Sequence, residues 1–310
     1  MTATERPPST PPMAVRARHA GAGFGAAVLA TARPRQWPKN ILVFAAPAAA
    51  GVLLQPAAAA AAVWAAGVFV LASASTYFIN DARDVEADRL HPVKRRRPVA
   101  AGRLGVRTSY GIGLGLAVLA AVVALPLGPA MVGVVVLYLA LTMGYSLWLK
   151  DQPVVELLAV ASGFVLRAVA GGTAAGVPLS NWFLLVALFG SLFLVTAKRS
   201  AEARNSLARG TTRPVLDGYP SAWLQQILTV SLTGTVLAYA SWALQYVGRD
   251  VALPVLALSV VPFLAVMLRY SLLVARGDGE APEDVVFSDR FLLVAGILWA
   301  ALVGGALYLA

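Results

Sequence analysis

Residues 57–79 read AAAAAAVWAAGVFVLASASTYFI, and residues 80–98, which follow directly, read NDARDVEADRLHPVKRRRP. The first part is apolar and long enough to cross a bilayer, whose hydrocarbon core requires about 20 residues of α-helix. The second part holds four acidic and six basic side chains. Because charges beside lipid are costly and usually functional, this stretch predicts a transmembrane helix that ends in a charged, functional surface.

The rest of the chain repeats the apolar pattern. Of the 310 residues, 59% are hydrophobic and only 13% are charged, about half the charged fraction of a soluble domain. The chain has no cysteine, which excludes disulfides and cysteine-based metal or thiol chemistry. We therefore expect an all-α, polytopic membrane protein with nine apolar segments, at roughly 40–55, 57–79, 108–126, 129–149, 153–174, 180–197, 222–247, 251–275 and 290–309.

The N-terminal region differs in composition from this domain. Residues 1–20 are rich in proline, threonine and serine, which is typical of disorder. The short apolar stretch 21–32 could instead lie in the membrane interface, and we find no persuasive signal-peptidase site. We therefore divide the chain into a disordered or interfacial tail, residues 1–32, and a single transmembrane helical domain, residues 33–310.

The charged residues lie almost entirely on one side of the predicted membrane. If the N-terminus is cytoplasmic, every Lys and Arg except Arg167 and Arg249 falls in the tail or near a cytoplasmic connection, as does every acidic residue except Asp250. This asymmetry follows the positive-inside rule and predicts a multi-pass protein of the plasma or inner membrane whose chemistry faces the cytoplasm. Topology and attraction to anionic lipid headgroups explain the net charge of +10, so we expect the bilayer, and no nucleic acid, as a partner.

Three aspartates follow the second apolar segment at helical spacing. Asp81, Asp84 and Asp88 would lie on one face of a helix that continues this segment, where their carboxylates repel each other. A hard divalent cation relieves that repulsion, and Mg²⁺ commonly takes one or two carboxylates together with water and substrate phosphates. We therefore predict that these aspartates bind Mg²⁺ and, through it, a diphosphate. The alternative is a solvated helix end in which Arg83 and Arg89 serve as ion-pair partners.

The next segment, DRLHPVKRRRP, is basic and contains two prolines, which interrupt helices. We expect a loop with short helical pieces that closes over a polyanionic substrate. Topology determination is the alternative, and it is sufficient for Arg95 and Arg96. A single loop histidine before proline, here His91, is more often structural than catalytic.

The fifth apolar segment carries two charges on one helical face. Glu156 and Arg167 are separated by about three helical turns, roughly 16 Å, which is too far for an ion pair. An intramembrane arginine with no partner on its own helix should face a protein interior or a watery cavity. We hypothesise that this helix lines an active cavity, with Glu156 near its mouth and Arg167 deep inside. A structural arginine that bonds backbone carbonyls is the alternative.

Four stretches resemble the UbiA superfamily of intramembrane prenyltransferases. Residues 80–102 have the form NDxxDxxxDRxHPxKxxRP, which is most similar to the decaprenyl-phosphate phosphoribosyltransferase branch. Three other stretches agree with that branch: RPRQWPKNILVFAAP (33–47), YSLWLKDQPVVELLAVASGFVLRAVAGG (145–172) and FLVTAKRSAE (193–202). The resemblance implies nine transmembrane helices around a central cavity and dependence on Mg²⁺. It departs from the family pattern at Glu156, where the second motif usually has aspartate.

The resemblance also bears on the individual site residues. Together with the charge pattern it leads us to expect catalytic roles for Asp84, Asp88, Tyr145 and Lys150. We expect substrate contacts from Lys39, Asn40, Asn80, Arg89, Lys94, Arg97, Glu156, Arg167 and Lys198. Without the resemblance, Lys39, Asn40 and Lys198 would be interfacial by default, as would Tyr145. Tyr145 and Lys150 lie about 140° apart on a continuous helix, so they can share a site only if the helix ends near Ser146–Lys150.

The resemblance implies transfer of 5-phosphoribose from phosphoribosyl diphosphate to a polyprenyl (decaprenyl) phosphate, in the synthesis of cell-wall arabinan precursors. A lipid phosphate is already anionic near neutral pH, so this reaction needs no strong general base. One alternative is an aromatic polyprenyltransferase of quinone or haem synthesis, which would use the same aspartates. The second alternative is a transporter or a non-catalytic membrane scaffold. The sequence leaves the oligomeric state open, and a homo-oligomer is compatible with it.

Overall fold

The structure, a computed structural model, describes residues 23–209, 214–245, 253–277, 285 and 288–309. Within these residues the chain is almost entirely helical, and no strand is formed. The α-helices, numbered in chain order, are α1 (Phe24–Ala32), α2 (Ala45–Ala49), α3 (Pro56–Arg83), α4 (Val85–Leu90), α5 (Val106–Ala124), α6 (Pro129–Leu147), α7 (Val155–Ala175), α8 (Asn181–Arg209), α9 (Ser221–Leu244), α10 (Leu253–Leu258), α11 (Val260–Arg276) and α12 (Arg290–Tyr308). Short 3₁₀ segments cover Pro34–Phe44, Lys94–Arg96, Leu125–Leu127, Leu149–Asp151 and Pro214–Gly218.

The fold class expected from the sequence is confirmed. In the described part of the chain, eight helical stretches are long and apolar enough to cross a membrane: Pro56–Arg83, Val106–Leu127, Pro129–Leu147, Val155–Ala175, Asn181–Arg204, Ser221–Leu244, Val255–Arg276 and Arg290–Tyr308. They correspond to the second through ninth predicted apolar segments. The protein is therefore a multi-pass membrane protein, and its described residues contain one long span fewer than the nine predicted.

The first predicted segment, residues 40–55, forms a short and irregular helical run instead. Residues 34–44 are a 3₁₀ helix, and only Ala45–Ala49 are α-helical. Pro34, Pro38 and Pro47 lie in this run, and proline removes a backbone donor and obstructs a continuous α-helix. The run is nevertheless part of the bundle, because Val43 and Ala46 are buried.

The predicted N-terminal tail is only partly described. Residues 1–22 lie outside the described residues, whereas α1 forms within the stretch 21–32. Ala27 and Ala32 on α1 are buried in a cluster with Phe78, while Phe24 and Leu29 are exposed. Helix α1 therefore packs on the bundle with one side and leaves apolar side chains on the other, which agrees with a position at the membrane boundary.

The outer surface of the bundle is apolar. Large aliphatic side chains are more than half exposed on several spans, among them Val63, Leu114, Val136, Leu237, Val261 and Val294. In water such a surface would be unstable, but in a bilayer these residues face lipid, while the helices satisfy their own backbone hydrogen bonds. The pattern therefore matches the predicted membrane location.

Helix α7 lies at the centre of the bundle, against α3, α6, α8 and the irregular run 34–49. Gly171 on α7 permits the closest of these approaches. A Cβ atom at Gly171 would overlap the carbonyl oxygen of Val43, and it would lie 3.3 Å from Cδ of Pro47. The irregular run is thus held directly against the backbone of α7, as in other membrane bundles where small residues allow helices to approach closely.

Contacts between chain segments define two opposite ends of the bundle. At one end, which we call the charged end, Arg83, the last residue of α3, donates to carbonyls of Ser146 and Leu147 at the end of α6. At the other end, the Tyr308 hydroxyl of α12 donates to the Ala48 carbonyl. The charged end therefore gathers the helix termini and connections in which most of the predicted site residues lie.

We predict that Gly171→Ala destabilises the protein, because the added methyl group collides with backbone that cannot rotate away. Overpacking costs about 1–3 kcal/mol, occasionally more, and we expect the upper part of that range. The measurement is the melting temperature of the purified protein in detergent. Gly296→Ala on α12 is the matched control, because a Cβ there meets nothing within 4 Å. Equal melting temperatures for the two variants would contradict the contact.

Candidate active site

The charged segment after α3 continues the helical path with one interruption. Helix α3 ends at Arg83 and α4 begins at Val85, while Asp84 between them has φ −88° and ψ 14°. The amides of Asp84 and Asp88 still donate to carbonyls four residues earlier, at 2.9 and 2.8 Å. The predicted helical extension of the second apolar segment therefore exists, with a break at the middle aspartate.

Asp81 and Asp88 converge on one guanidinium group. Nη1 of Arg97 lies 3.2 Å from Oδ1 of Asp81 and 2.7 Å from Oδ2 of Asp88. The two aspartates are only 1% and 3% exposed. Burying a carboxylate is costly unless it is paired and hydrogen-bonded, and Arg97 supplies such a partner to both aspartates. The predicted site residue Arg97 thus lies in the same cluster as two predicted metal ligands.

Asp81 has a second basic partner, Arg33, which the sequence analysis did not identify as a site residue. Arg33 follows α1 with a left-handed backbone (φ 52°), and its guanidinium contacts Oδ1 of Asp81 and lies 4.8 Å from the ring centre of Tyr77. A non-glycine residue with positive φ is uncommon. The signal that could have found it is its position as the first residue of the RPRQWPKN stretch.

Asp84 has different partners from the other two aspartates. Nζ of Lys150 lies 3.1 Å from Oδ1 of Asp84. Helix α6 ends at Leu147, and Leu149–Asp151 form a 3₁₀ turn, so the helix ends where Tyr145 and Lys150 could share a site. Tyr145 lies close enough to Arg199 for the two side chains to interact electrostatically. It therefore lies beside the pair formed by Arg199 and Glu156.

Glu156 lies at the first turn of α7 and is completely buried. Its carboxylate accepts hydrogen bonds from Arg199 of α8 through both oxygens, from Nε at 2.8 Å and from Nη2 at 2.8 Å. Nη1 of Arg199 also lies 2.6 Å from Glu202. Removing one partner of such a buried pair typically costs about 3–5 kcal/mol. The sequence analysis named the neighbouring Lys198 and missed Arg199.

The Tyr219 hydroxyl extends this pair toward the connection before α7. It accepts the backbone N–H of Val154 at 2.8 Å, and it donates to Oε1 of Glu156 over a longer distance of 3.4 Å. Burial raises the pKa of the Tyr219 hydroxyl above its usual value, so the proton that it donates is retained at physiological pH. The Tyr219 ring stacks on Trp223, with centroids 5.3 Å apart.

Arg167 lies deep in the bundle, 7% exposed, and contacts three segments. Its Nε donates to Oδ1 of Asn40 at 2.9 Å, its Nη2 donates to the Tyr138 hydroxyl at 2.8 Å, and its Nη1 donates to the carbonyl of Gly163 at 2.8 Å. Its guanidinium carbon also lies 4.9 Å from the Tyr138 ring centre. Arg167 faces the protein interior, as predicted, and the bond to Gly163 is of the kind expected for the structural alternative.

Two buried polar atoms in this region have no protein partner. They are Nδ2 of Asn40 and Oδ1 of Asn80, both predicted site residues. Buried polar groups are normally hydrogen-bonded. The open donor of Asn40 belongs to a residue that bonds Arg167, and the open acceptor of Asn80 belongs to the residue before Asp81, so both are consistent with a site that binds polar ligands or water.

The remaining predicted residues lie nearer the surface. Arg89 pairs with Glu86 at 2.8 Å and is 48% exposed at its side chain. Nδ1 of His91 accepts the amides of Val93 and Lys94, which indicates a structural role for this histidine. Lys94 is exposed, Lys39 is partly buried, and Lys198 is 3.8 Å from Glu202.

The donor atoms fit a hard cation at Asp81 and Asp88. Their carboxylates already converge on one positively charged nitrogen, and the open Oδ1 of Asn80 belongs to the residue before Asp81. No three His, Cys, Asp or Glu side chains in the described residues lie close enough to hold a metal by themselves. The structure therefore brings two of the three predicted ligands together, and a Mg²⁺ ion there would complete its shell with water and substrate phosphates.

Comparison with known proteins agrees with this architecture. The profile of the UbiA prenyltransferase family matches residues 41–295. A protein named decaprenyl-phosphate phosphoribosyltransferase from Mycobacterium tuberculosis is 42% identical over 290 residues, which are 92% of this chain and 95% of the relative. Proteins of the same name from Corynebacterium glutamicum and Mycolicibacterium smegmatis are 42% and 41% identical; each match covers 89% of this chain, and 85% and 91% of the relatives.

Solved structures show the same fold at lower identity. A UbiA homologue from Archaeoglobus fulgidus bound to DMAPP and Mg²⁺ has a TM-score of 0.69 at 21% identity, over 90% of this chain and 98% of the homologue. Its complex with GPP and Mg²⁺ has a TM-score of 0.67 at 21% identity, over 92% of this chain and all of the homologue. With the profile match and the relatives at 42% identity, these findings show that the chain belongs to the UbiA prenyltransferase family.

Proposed function

We propose that this protein transfers the 5-phosphoribosyl group of phosphoribosyl diphosphate to a polyprenyl phosphate and releases diphosphate. The observation that carries the proposal is its similarity to curated decaprenyl-phosphate phosphoribosyltransferases, at 41–42% identity over about nine-tenths of the chain. The site supports the same reaction class, because buried carboxylates and basic side chains meet at the charged end. A decaprenyl chain and a role in cell-wall arabinan synthesis belong to the proposal.

The reaction exchanges one bond at C1 of the ribose for another. The bond between C1 and the diphosphate oxygen breaks, and the diphosphate leaves with the electron pair. An oxygen of the lipid phosphate forms the new bond to C1. Because that oxygen is already anionic, no side chain has to remove a proton, which agrees with the structural role of His91.

The basic side chains of the site would bind the two polyanions. Arg33 and Arg97 flank Asp81, and Lys150 lies beside Asp84, so three cations are held within reach of the carboxylates. Positioned cations stabilise charge where it develops on a leaving group. Mg²⁺ bound by Asp81 and Asp88, with Asp84 nearby, would supply further stabilisation of the departing diphosphate.

An apolar cavity supports a lipid substrate. It has a volume of about 570 Å³, and its lining includes the aromatic residues Phe183, Tyr239, Trp242, Phe263, Trp299 and Tyr308. It lies toward the opposite end from the aspartates, where α12 contacts the irregular run. Such a cavity is suited to part of a long polyprenyl chain whose phosphate reaches the charged end.

The charge asymmetry of the sequence supports an orientation with the charged end in the cytoplasm. We propose that the protein is a plasma-membrane or inner-membrane enzyme that takes phosphoribosyl diphosphate from the cytoplasm and polyprenyl phosphate from the bilayer. The tail and transmembrane domain remain the proposed division of the chain. A homo-oligomer is compatible with the proposal but is not required by the site.

The aromatic prenyltransferase alternative has weaker support. A relative with a prenyl-transfer product, a digeranylgeranylglyceryl phosphate synthase from Sulfolobus acidocaldarius, is 31% identical over only 38% of this chain. The phosphoribosyltransferases match more than twice that share. A transporter or scaffold is disfavoured by membership of a transferase family.

We expect membranes that contain the protein to form an organic-extractable labelled lipid from ribose-labelled phosphoribosyl diphosphate, polyprenyl phosphate and Mg²⁺. The measurement is extraction followed by thin-layer chromatography, with membranes lacking the protein as the control. A parallel reaction supplies labelled prenyl diphosphate and an aromatic acceptor. Product in the parallel reaction alone would overturn the proposal in favour of the aromatic prenyltransferase.

We predict that Asp81→Asn and Asp88→Asn each lower turnover by at least about 100-fold, the loss typical when one group that stabilises transition-state charge is removed. Asparagine preserves the shape but removes the negative charge that a metal requires. Glu86→Gln is the matched control, because Glu86 lies in the same segment with its side chain 80% exposed. The measurement is initial rate against Mg²⁺ concentration, and a wild-type rate for both aspartate variants would remove the metal role.

We predict that Arg167→Leu lowers both stability and turnover. Losing a hydrogen bond to a charged group costs about 1.5–3 kcal/mol, and the variant leaves Asn40 and Tyr138 without their partner. Tyr138→Phe removes only one of these bonds and should have a smaller effect on the melting temperature. A folded, monodisperse Arg167→Leu protein with full activity would eliminate the functional role of this arginine.

A further inference from the structure

We propose that Glu156 is a positioning residue: with Arg199 and Tyr219 it forms a clamp that holds the connection carrying Lys150 against Asp84. In this proposal Glu156 contacts neither metal nor substrate, although it occupies the position where the resembling motif usually has aspartate. The inference rests on the proposed function, because the role of Lys150 is defined by that reaction. Glu156, Arg199 and Tyr219 are called the Glu156 clamp below.

Both oxygens of the Glu156 carboxylate are engaged by protein groups. Both oxygens accept hydrogen bonds from Arg199, at 2.8 Å each, and the residue is 0% exposed. Asp81 and Asp88 differ from Glu156 in this respect, because arginines contact each of them through one oxygen atom, Oδ1 of Asp81 and Oδ2 of Asp88. Arg199 is itself only 5% exposed and is also held by Glu202, so the pair is enclosed on both sides.

Tyr219 connects this pair to the backbone before α7. The Tyr219 hydroxyl contacts Glu156 and accepts the amide of Val154 at 2.8 Å. Val154 has φ 67° and ψ −52°, a conformation that is a genuine outlier for a β-branched residue. Strained backbone persists only where its surroundings over-determine it. The hydrogen bond to Tyr219 is one such constraint.

The same connection is also held by close packing. Gly218 lies against Pro153 so closely that a Cβ on Gly218 would be 2.9 Å from Cγ of the proline. Tyr219 is buried with Leu157 and Leu216 in one apolar cluster. The segment 214–219 therefore presses on residues 153–154 while its tyrosine bonds to them.

The clamp holds the connection that carries the predicted catalytic lysine, Lys150. Lys150 lies in the 3₁₀ turn Leu149–Asp151, three residues before Pro153, and reaches Asp84 at 3.1 Å. Helix α6 has ended at Leu147, so no regular helix fixes this turn from the preceding side. The Glu156 clamp instead fixes Pro153 and Val154, which follow the turn in the chain. Misplacement of a catalytic group by about 1 Å can cost 100-fold in rate, which makes this constraint relevant to turnover.

The clamp and the metal-ligand role predict different outcomes for Glu156→Asp. A metal ligand would tolerate aspartate, since the charge is retained and the family pattern is restored. A clamp would not, because the shorter side chain cannot keep both bonds to Arg199. Tyr219→Phe tests the contact with the backbone of Val154 separately, because it removes only the hydroxyl and leaves the ion pair between Glu156 and Arg199. Tyr110→Phe on α5, a residue 42% exposed, is the matched control.

The experiment measures initial rates of the full-length protein in membranes against Mg²⁺ and phosphoribosyl diphosphate. For Glu156→Asp and Tyr219→Phe we expect kcat to fall about 10-fold to 100-fold, while the half-saturating Mg²⁺ concentration changes by less than about twofold. In a protein that already carries Lys150→Ala, Tyr219→Phe should lower kcat no further, because Tyr219 affects turnover only by positioning Lys150. Tyr110→Phe should match wild type throughout.

The opposite pattern overturns the proposal. It would consist of a raised Mg²⁺ requirement in Glu156→Gln, with Glu156→Asp and Tyr219→Phe at wild-type kcat. Hydrogen exchange of the amides of residues 150–155 gives a readout independent of turnover: Tyr219→Phe should speed their exchange, and unchanged exchange would contradict the clamp. If wild type forms no labelled lipid, the proposed function fails, whereas the exchange measurement still decides the clamp.

Discussion

Pairing of buried charge is the constraint on which the charged end of this bundle depends. Asp81 and Asp88 are almost completely buried, and they are compensated by Arg97 and Arg33. An unpaired carboxylate in such a place would be protonated or would destabilise the fold. The residues that compensate these charges come from different parts of the chain. Pairing therefore draws the start of the irregular run and the basic loop onto the end of α3.

The same pairing prepares the site for its proposed substrates. Carboxylates alone would attract a metal but repel phosphate, and basic side chains alone would do the reverse. Here the two kinds of charge are interleaved, with Arg97 between Asp81 and Asp88 and with Lys150 beside Asp84. A substrate that brings both a divalent cation and a polyanion can exchange partners with this cluster without leaving a buried charge alone.

Much of this arrangement could be predicted from the sequence, because its signals are local. Long apolar runs predicted eight spans that the structure describes. The spacing of Asp81, Asp84 and Asp88, together with the motif, predicted a candidate site in which two of the three aspartates meet at Arg97, while Asp84 pairs with Lys150. The irregular run failed as a ninth span because its prolines interrupt the helix, although its composition is apolar. Arg199 and Tyr219 were missed because their importance arises from contacts with Glu156, which is 43 and 63 residues away in the sequence. No spacing rule within one helix reports such a contact.

Helix α7 shows how separate pairings combine into one scaffold. Its two charges are too far apart to pair with each other, and each has found a partner elsewhere: Glu156 bonds Arg199 of α8, and Arg167 bonds Asn40 and Tyr138. Near its end, Gly171 lies against the backbone of the irregular run. These contacts differ in kind, one ionic, one hydrogen-bonded to neutral groups and one steric, so no single substitution removes them all. These contacts fix α7 along its length. If the connection before α7 is displaced, α7 therefore does not move with it, and the change is confined to the connection. The geometry of Lys150 therefore depends on residues 148–156 and on the two side chains that hold this connection in place, Arg199 and Tyr219.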